Sequence, residues 1–405
     1  MQSARHILQD MGHFLISRVR ASAKDPNPAA IPTANPIPPC PAAKIPQSGT
    51  HPLPESTALP TPTLDNLGWR PHFANQLAPD EQETDLLRIT AVQRASATGL
   101  GPLGEVALVY PPGLSAGSVA VGDWVLREPD SHRIARLLTR ETSISRRAAG
   151  AEAKQQLIAA NVDTLFITTS CNADFNLARL ERYIALALDA NIAPVLILTK
   201  ADESPDSLSY LAEATSVSDK LAAVIALNAR DTAQLTPLRK WCTAGQTVAF
   251  IGSSGVGKST LINGLTGGAQ STAGMREDDA KGRHTTTSRS LHLLPTGGML
   301  IDMPGMRELA LLDVAQGINA LFDDITALAQ TCKFRDCAHN SEPGCAVTAA
   351  IADGTLDAGR VARWNKLKLE DSHNTATILD KRYQSRSTSK MIRSTIKSSQ
   401  KRKGR

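Results

Sequence analysis

TVAFIGSSGVGKST, at residues 247–260, is the stretch that decides the fold. It opens with an apolar β-type run, Thr247 to Ile251, and leads into a helical pattern from Thr260 to Leu265. Between the two lies G-x-x-x-x-G-K-[ST], the phosphate loop that joins a strand to a helix. Its glycines let consecutive backbone N–H groups turn toward a phosphate, and the helix N-terminus adds positive potential. The stretch therefore predicts an α/β nucleotide-binding domain.

The side chains of this loop have separate predicted tasks. Lys258 places a positive charge against the β- and γ-phosphates, which makes it a candidate catalytic residue, and the Ser259 hydroxyl is a ligand for Mg²⁺. The predicted nucleotide contacts of the loop are Gly252, Ser253, Ser254, Gly255, Val256, Gly257, Lys258, Ser259 and Thr260.

A motif upstream of the phosphate loop predicts which base is bound. Thr199-Lys200-Ala201-Asp202 follows the apolar run Pro194 to Leu198 and matches [NT]-K-x-D. Asp202 can accept both the N1–H and the N2–H of guanine, a pair that adenine does not offer. The four residues Thr199, Lys200, Ala201 and Asp202 are therefore predicted GTP contacts. Thr199 replaces a commoner Asn, and Asn228 replaces the usual Ser of a second base loop, so both departures predict a looser guanine site.

Downstream of the phosphate loop, two short motifs predict the γ-phosphate end of the site. Asp302-Met303-Pro304-Gly305 follows an apolar run, so that Asp302 can hold the water shell of Mg²⁺ and the Gly305 N–H can meet the γ-phosphate. Met306 stands where many GTPases have a water-orienting Gln. His284, in the polar segment Gly282 to Thr287, is the predicted catalytic group that positions water; a solvated loop histidine is the alternative.

Three of the six cysteines fall close together near a histidine. Cys332-x4-Cys337-x-His339-x5-Cys345 supplies three thiolates and one imidazole, the ligand set of a closed, tetrahedral, structural zinc site. A chance group of free thiols is the alternative.

The chain changes character along its length. From Asn161 to about Leu312, apolar runs alternate with helical patterns, which predicts a mainly parallel three-layer sheet. Short β-type runs broken by glycine between Asp85 and Arg147 predict a small β-barrel of the OB type, a fold that binds single-stranded nucleic acid through a basic face. The arginines near its end are Arg133, Arg136, Arg140, Arg146 and Arg147. A purely structural barrel is the alternative.

Both ends of the chain lack the composition of a folded core. Ala21 to Pro62 holds 12 of the 24 prolines, which predicts a disordered linker behind a weakly amphipathic leader. That leader could be an organelle-targeting signal, a partner helix or a mis-assigned start. Lys381 to Arg405 carries ten Lys and Arg and no acidic residue, so it reads either as an arm for nucleic acid phosphates or as a solvated tail. The sequence contains no run of about 18 consecutive apolar residues, the length that a membrane-spanning helix needs.

These patterns predict five parts. They are a Pro-rich leader (1–63), an OB-fold barrel (64–150), a GTPase domain (151–312), a zinc-binding helical domain (313–380) and a basic tail (381–405). The base motif precedes the phosphate loop, so the GTPase motifs are circularly permuted, and the chain runs from Gly305 directly toward the zinc cluster. We expect the γ-phosphate contact at Gly305 to move the zinc domain.

Taken together, GSSGVGKST, the upstream TKAD, GRHTT, DMPGMREL and CKFRDCAHNSEPGC resemble the bacterial small ribosomal subunit biogenesis GTPase family RsgA, whose members are circularly permuted GTPases. The resemblance covers about Leu64 to Glu370. It implies a GTPase of late small-subunit maturation that binds ribosomal RNA, is stimulated by the subunit and carries one structural zinc ion and magnesium with GTP. It also implies the hydrolytic role for His284. We expect a cytoplasmic monomer without membrane contact.

Two other functions compete with this prediction. In a non-enzymatic RNA-binding assembly factor, nucleotide would only set the conformation, which Met306 favours. In a zinc-dependent ATPase, Asp202 would not read the base.

Overall fold

The computed structural model describes residues 62–147, 155–267, 289–303 and 311–376, all within one compact unit, Leu59–Arg405. The leader up to residue 61, the basic tail, His284, Gly305 and Met306 lie outside the described residues. None of the described helices is long and apolar enough to cross a membrane.

The described elements are numbered here in chain order. The strands are β1 (Leu86–Val92), β2 (Ser96–Gly101), β3 (Gly104–Val109), β4 (Trp124–Arg127), β5 (Ile134–Leu137), β6 (Ser143–Arg147), β7 (Gln155–Ala160), β8 (Thr164–Ser170), β9 (Ala193–Thr199), β10 (Ala223–Ala226), β11 (Thr247–Gly252), β12 (Ser290–Leu293) and β13 (Met299–Asp302). The helices are α1 (Pro71–Ala74), α2 (Leu177–Asp189), α3 (Ser207–Thr215), α4 (Thr236–Arg239), α5 (Lys258–Thr266), α6 (Ala315–Leu321), α7 (Asp323–Ala329), α8 (Ala346–Ala352) and α9 (358–376).

The nucleotide-binding part is a parallel sheet between two layers of helices. Its strand order is β10-β9-β8-β11-β13, all parallel, with β12 antiparallel at the end. One face packs on α2 and α3, and the other packs on α4 and α5. The predicted three-layer architecture is confirmed, and β8, β9, β10, β11 and β13 each overlap an apolar run of the sequence.

The β-rich part upstream of this sheet has a nearly closed pattern of strand pairing. β1 pairs with both β2 and β4, β2 pairs with β3, and β4 pairs with β5. A parallel bridge between Val109 and Arg133, with Val109 N donating to His132 O at 2.7 Å, links the end of β3 to the start of β5. Alternate residues of β1, Leu87 and Ile89, point into the core of this ring.

A glycine turn fixes the ring beside β7. Gly122 has a φ of 92°, and a Cβ there would lie 2.2 Å from the Ala160 carbonyl oxygen. Asp123 is fully buried and accepts hydrogen bonds from the Ala120 N–H and the Arg140 side chain. Trp124 then packs edge-on against Trp69.

The β-rich part and the nucleotide sheet are continuous. β1 pairs with β12 through Ala91 and Ser290. Arg88 on β1 is almost fully buried at this junction, where it donates to the carbonyls of Leu67 and Asn161 and to the Thr247 hydroxyl at the start of β11. Burial lowers the pKa of Arg88 to about 10.

The helices after the sheet pack on α2. Gly317 of α6 approaches α2 so closely that a Cβ would lie 1.9 Å from the Ala185 carbonyl oxygen. Two ion pairs join α2 to α9: Glu181 with Arg363 at 2.8 Å, and Arg182 with Glu370. The last helices are thus fixed to the nucleotide domain through α2.

Candidate functional site

The phosphate loop lies between β11 and α5, as the motif predicts. A Cβ on Gly252 would lie 2.2 Å from the Thr168 carbonyl oxygen, so only glycine fits against β8. Gly255 and Gly257 have φ values of 82° and 95°, the left-handed region that turns successive N–H groups inward. The geometry suits a loop that wraps a phosphate.

Lys258 is the buried cation of this loop. Its Nζ donates to the carbonyl oxygens of Gly252 and Ser253 at 2.8 and 2.6 Å, which places the ammonium inside the loop. Burial lowers the pKa of Lys258 to about 8, opposed by the nearby carboxylates of Asp302 and Asp174. Ser259 and Thr260 are exposed at the first turn of α5.

The predicted guanine loop follows β9 and touches the phosphate loop. Thr199 is fully buried, and its hydroxyl donates to the Val256 carbonyl at 2.5 Å, with the Thr169 carbonyl oxygen 3.1 Å away. Lys200 has a left-handed φ of 55°. The Thr199 hydroxyl anchors the end of β9 to the phosphate loop, and the expected effect of Thr199 on guanine affinity stays a prediction.

The second base loop meets the first. The Asn228 side-chain amide donates to Asp202 Oδ2 at 2.9 Å, and the Asn228 N–H donates to Gln234 Oε1. Asp202 itself is exposed, with Ala201 half-buried beside it. Asn228 therefore orients the carboxylate that is predicted to read guanine.

Asp302 ends β13 on the same side of the sheet as α5. It pairs in register with Ser290 on β12, whose hydroxyl shares a 2.7 Å hydrogen bond with His292 Nε2. Burial raises the pKa of Asp302, opposed by His292 and Lys258. Because β11 and β13 are parallel neighbours, the phosphate loop after β11 places Lys258 at the same end of the sheet as Asp302. His284 and Gly305 lie outside the described residues.

Asp174 contacts the phosphate loop, although no sequence motif singled it out. It lies in the turn after β8 and accepts hydrogen bonds from the Ser253 hydroxyl and from Arg179 on α2. The signal was available, because turns that follow parallel strands meet at one edge of the sheet. Asp174 links the phosphate loop to the helix that carries the C-terminal helices.

The cysteine cluster assembles as predicted. The ligand atoms of Cys332, Cys337, His339 and Cys345 all lie within 4.8 Å of one another. Cys332 Sγ and Cys345 Sγ are 3.9 Å apart, and each is 3.6 Å from His339 Nδ1. Tetrahedral zinc with its usual bond lengths needs edges of about 3.8 Å between sulfurs and about 3.6 Å from sulfur to nitrogen. The donor set fits zinc in both chemistry and spacing.

Groups around the cluster prepare it for a cation. The backbone N–H groups of Ala338, Asn340 and Ser341 donate to Glu342, which holds the loop, and such bonds lower the pKa of Glu342 to about 2. Burial raises the pKa of Cys337 to about 11, whereas the pKa of Cys345 falls to about 6 because hydrogen bonds with Thr348, His339 and Cys337 outweigh burial.

The arginines of the β-rich part differ in whether carboxylates pair with them. Arg136 pairs with Glu81 at 2.5 Å, and Arg140 pairs with the buried Asp123 at 2.6 Å. These two are neutralised within the fold, so they do not form the open basic face that the sequence predicts. Arg133, which immediately precedes β5, is exposed.

The similarity of this chain to known proteins covers more of its length than the nucleotide motifs. The family model of the RsgA GTPase matches residues 137–312. The small ribosomal subunit biogenesis GTPase RsgA of Mesorhizobium japonicum is 53% identical over 328 residues, which cover 80% of this chain and 94% of that protein. The small ribosomal subunit biogenesis GTPase RsgA 2 of Vibrio vulnificus is 47% identical over 333 residues, covering 82% and 94%.

A solved structure shares the fold. The crystal structure of YjeQ from Thermotoga maritima matches with a TM-score of 0.53 at 22% identity, over 70% of this chain and 96% of that one.

Proposed function

Since this chain belongs to the RsgA GTPase family and is a GTP-hydrolysing enzyme, we propose that it binds the small ribosomal subunit and acts in the biogenesis of that subunit. One observation carries the proposal: the similarity to biogenesis GTPases runs over 328 residues, well beyond the nucleotide part at 137–312. A shared GTPase domain alone would leave the partner open, whereas similarity over the flanking parts extends to the surfaces that would meet the subunit.

We propose that three side chains hold the phosphates and the metal. Lys258, already inside the loop, neutralises charge on the β- and γ-phosphates, whose proximity keeps its ammonium protonated. Ser259 and Asp302 hold Mg²⁺ and its water shell at the same end of the sheet. When bound, Mg²⁺ would offset charge that develops on the transferred phosphate. Backbone N–H groups from Gly252 to Thr260 enclose the phosphates.

Hydrolysis needs a group that positions water. His284 and the Gly305 N–H stay the predicted water-positioning and γ-phosphate groups; both come from the sequence alone. The coupling of Gly305 to the zinc domain also stays a proposal, to which the contact of Asp174 with both Ser253 and α2 adds a second route.

Guanine recognition is assigned to Thr199 through Asp202. Asp202 accepts the N1–H and N2–H of the base, and Lys200 lies along its plane. The amide of Asn228 supports this assignment, because it fixes the orientation of the Asp202 carboxylate.

We propose that one structural zinc ion is bound by Cys332, Cys337, His339 and Cys345. Four protein ligands leave no position for substrate, so the zinc stabilises the loop before α8. Thiols that serve as metal ligands persist in reducing compartments, which favours the cytoplasm.

The β-rich part is proposed to be an OB-type barrel that contacts ribosomal RNA. The order β1-β2-β3-β5-β4, closed back on β1, supports this assignment. The division into parts at 64–150, 151–312 and 313–380 is proposed with it. We also propose a monomer, because the exposed large apolar side chains of the described part are scattered over separate elements: Leu103, Val109, Leu208, Phe334 and Leu369.

The test is the hydrolysis of GTP and ATP by the purified full chain, with and without purified small ribosomal subunits. We expect slow hydrolysis of GTP, several-fold to many-fold stimulation by small subunits, and little hydrolysis of ATP. Large subunits serve as the matched control particle, and Lys258→Ala controls for contaminating nucleotidases. Equal stimulation by both subunits, or a preference for ATP, would refute the proposal.

A further inference from the structure

A cavity of about 320 Å³ lies where the barrel meets the nucleotide sheet. Its walls come from the β1–β2 turn, the segment before β4, strand β7 and the residue that precedes β12. The polar side chains that line it are Gln93, Arg94, Gln156 and Arg289, and no acidic residue is among its lining residues. The cavity is therefore positive.

Arg289 is only partly satisfied by the fold. Its Nη1 donates to the Leu157 carbonyl at 3.1 Å, while its Nε is buried without a hydrogen-bond partner. Within the described parts of the chain, no carboxylate forms an ion pair with Arg289. A half-buried guanidinium with an orphaned N–H is costly unless an anion meets it.

Two further arginines lie beside Arg289 and the cavity. Burial, and after it the charge of the neighbouring Arg146, lowers the pKa of Arg289. Arg146 Nε donates to Gln156 Oε1 at 3.1 Å, which fixes that lining amide. Arg94 is exposed at the cavity rim. Unlike Arg289, Arg136 and Arg140 form ion pairs with carboxylates.

We propose that this cleft binds a backbone phosphate of ribosomal RNA, with Arg289 as its anchor and Arg94 at its rim. A guanidinium fork matches the oxygens of a phosphate, and a phosphate oxygen would satisfy the orphaned Arg289 Nε. The cleft lies where the β-rich part meets the nucleotide sheet. The inference rests on the proposed function, because it names the place where the subunit's RNA is held.

The position of Arg289 gives the contact a consequence for the nucleotide site. Arg289 immediately precedes Ser290, which pairs in register with Asp302, the proposed magnesium residue. A phosphate held by Arg289 restrains the start of β12 beside that residue. RNA binding at the cleft and nucleotide binding at Asp302 are thus connected through the pairing of β12 with β13.

The experiment measures binding of the labelled full-length chain to purified small subunits across a series of salt concentrations, with a non-hydrolysable GTP analogue present. Each phosphate contact contributes about 0.7–0.9 to the slope of log K against log salt. Arg289→Gln should reduce that slope by about one such contact and weaken binding. Arg289→Lys, which keeps the charge but not the fork, should weaken binding while it retains the slope. Arg239→Gln on α4 removes an exposed charge far from the cleft and serves as the matched control.

Three outcomes would overturn the inference. If the parent binds and Arg289→Gln retains the parental slope, the cleft holds no phosphate, although the proposed function stands. If Arg289→Gln weakens binding only as much as Arg239→Gln does, the effect is general charge loss. If the parent does not bind small subunits at all, both the cleft and the proposed function fail. Arg289→Lys keeps the test decisive if the glutamine variant does not fold.

Discussion

At the level of single residues, the two departures in the guanine loops turn out to make specific contacts. Thr199 reaches the Val256 carbonyl in the phosphate loop, and Asn228 reaches Asp202. Both contacts join loops that follow different strands. Thr199 thus fixes the end of β9 to the phosphate loop, and Asn228 fixes the carboxylate that is predicted to read guanine.

Asp202→Asn tests this assignment. The variant replaces one acceptor by a donor that faces the guanine N–H groups, so GDP should bind about 10- to 100-fold more weakly, the equivalent of about 1.5–3 kcal/mol. Asn228→Ala should give a smaller loss in the same direction. Binding of a fluorescent GDP analogue measures both.

Glu203→Gln is the matched control for that experiment. Glu203 is the next carboxylate in the chain, is exposed, and pairs only weakly with Arg230 at 3.5 Å. Its variant should bind GDP like the parent. Parental affinity in Asp202→Asn would remove the guanine assignment and favour an ATPase.

At the level of elements, the proposed zinc ligands also contact the helices around them. Cys345 is the N-cap of α8, where its sulfur accepts from the Thr348 N–H at 3.4 Å. The His339 ring packs 5.4 Å from Trp364, a buried residue of α9. One ion would therefore hold the start of one helix and a contact of the next.

Cys345→Ser separates these two roles. A serine hydroxyl can still cap α8 but is a poor zinc ligand, so we expect the purified variant to lose most of its zinc while α8 keeps its cap. Elemental analysis measures zinc per chain, and limited proteolysis reports loosening around residues 332–345. Cys171→Ala, a buried thiol outside the cluster, should retain the full zinc content. Full zinc in Cys345→Ser would mean that the fourth ligand lies elsewhere.

At the level of the whole molecule, two joints hold its parts together. Arg88 joins the barrel to the start of β11, and α2 joins the phosphate loop, through Asp174, to α6 and α9. Gly317 makes the second joint tight, since no side chain fits between α6 and α2. A change at the nucleotide therefore has a packed route toward the zinc region.

Arg88→Met tests the first joint. Methionine fills similar space but leaves the carbonyls of Leu67 and Asn161 buried without a donor, so the free energy of unfolding should fall by about 2–4 kcal/mol. Urea unfolding followed by fluorescence measures the change. Arg133→Met, at an exposed barrel position, should change stability little. An unchanged midpoint in Arg88→Met would show that other contacts hold the joint.

The sequence by itself determined the parts of this protein whose chemistry is local. The phosphate loop, the guanine loop, Asp302 and the cysteine cluster each depend on a few neighbouring residues whose backbone form follows from glycine, strand and helix patterns. The same holds for α2, which the apolar spacing from Phe175 to Ala190 predicts and which spans Leu177–Asp189. Strands β2, β5, β6, β7 and β12 were missed because their short runs mix apolar residues with small or polar ones.

Only the tertiary structure decided which distant residues meet. Arg88 bonds Thr247 across 159 positions, Arg363 bonds Glu181 across 182, and Arg289 bonds Leu157 across 132. Such contacts depend on strand register and on how the layers close, and no local pattern encodes either. For the same reason the sequence grouped Arg136 and Arg140 with an open basic face. Only the fold revealed the carboxylates that neutralise them and, within the described residues, the buried Arg289 Nε without a hydrogen-bond partner.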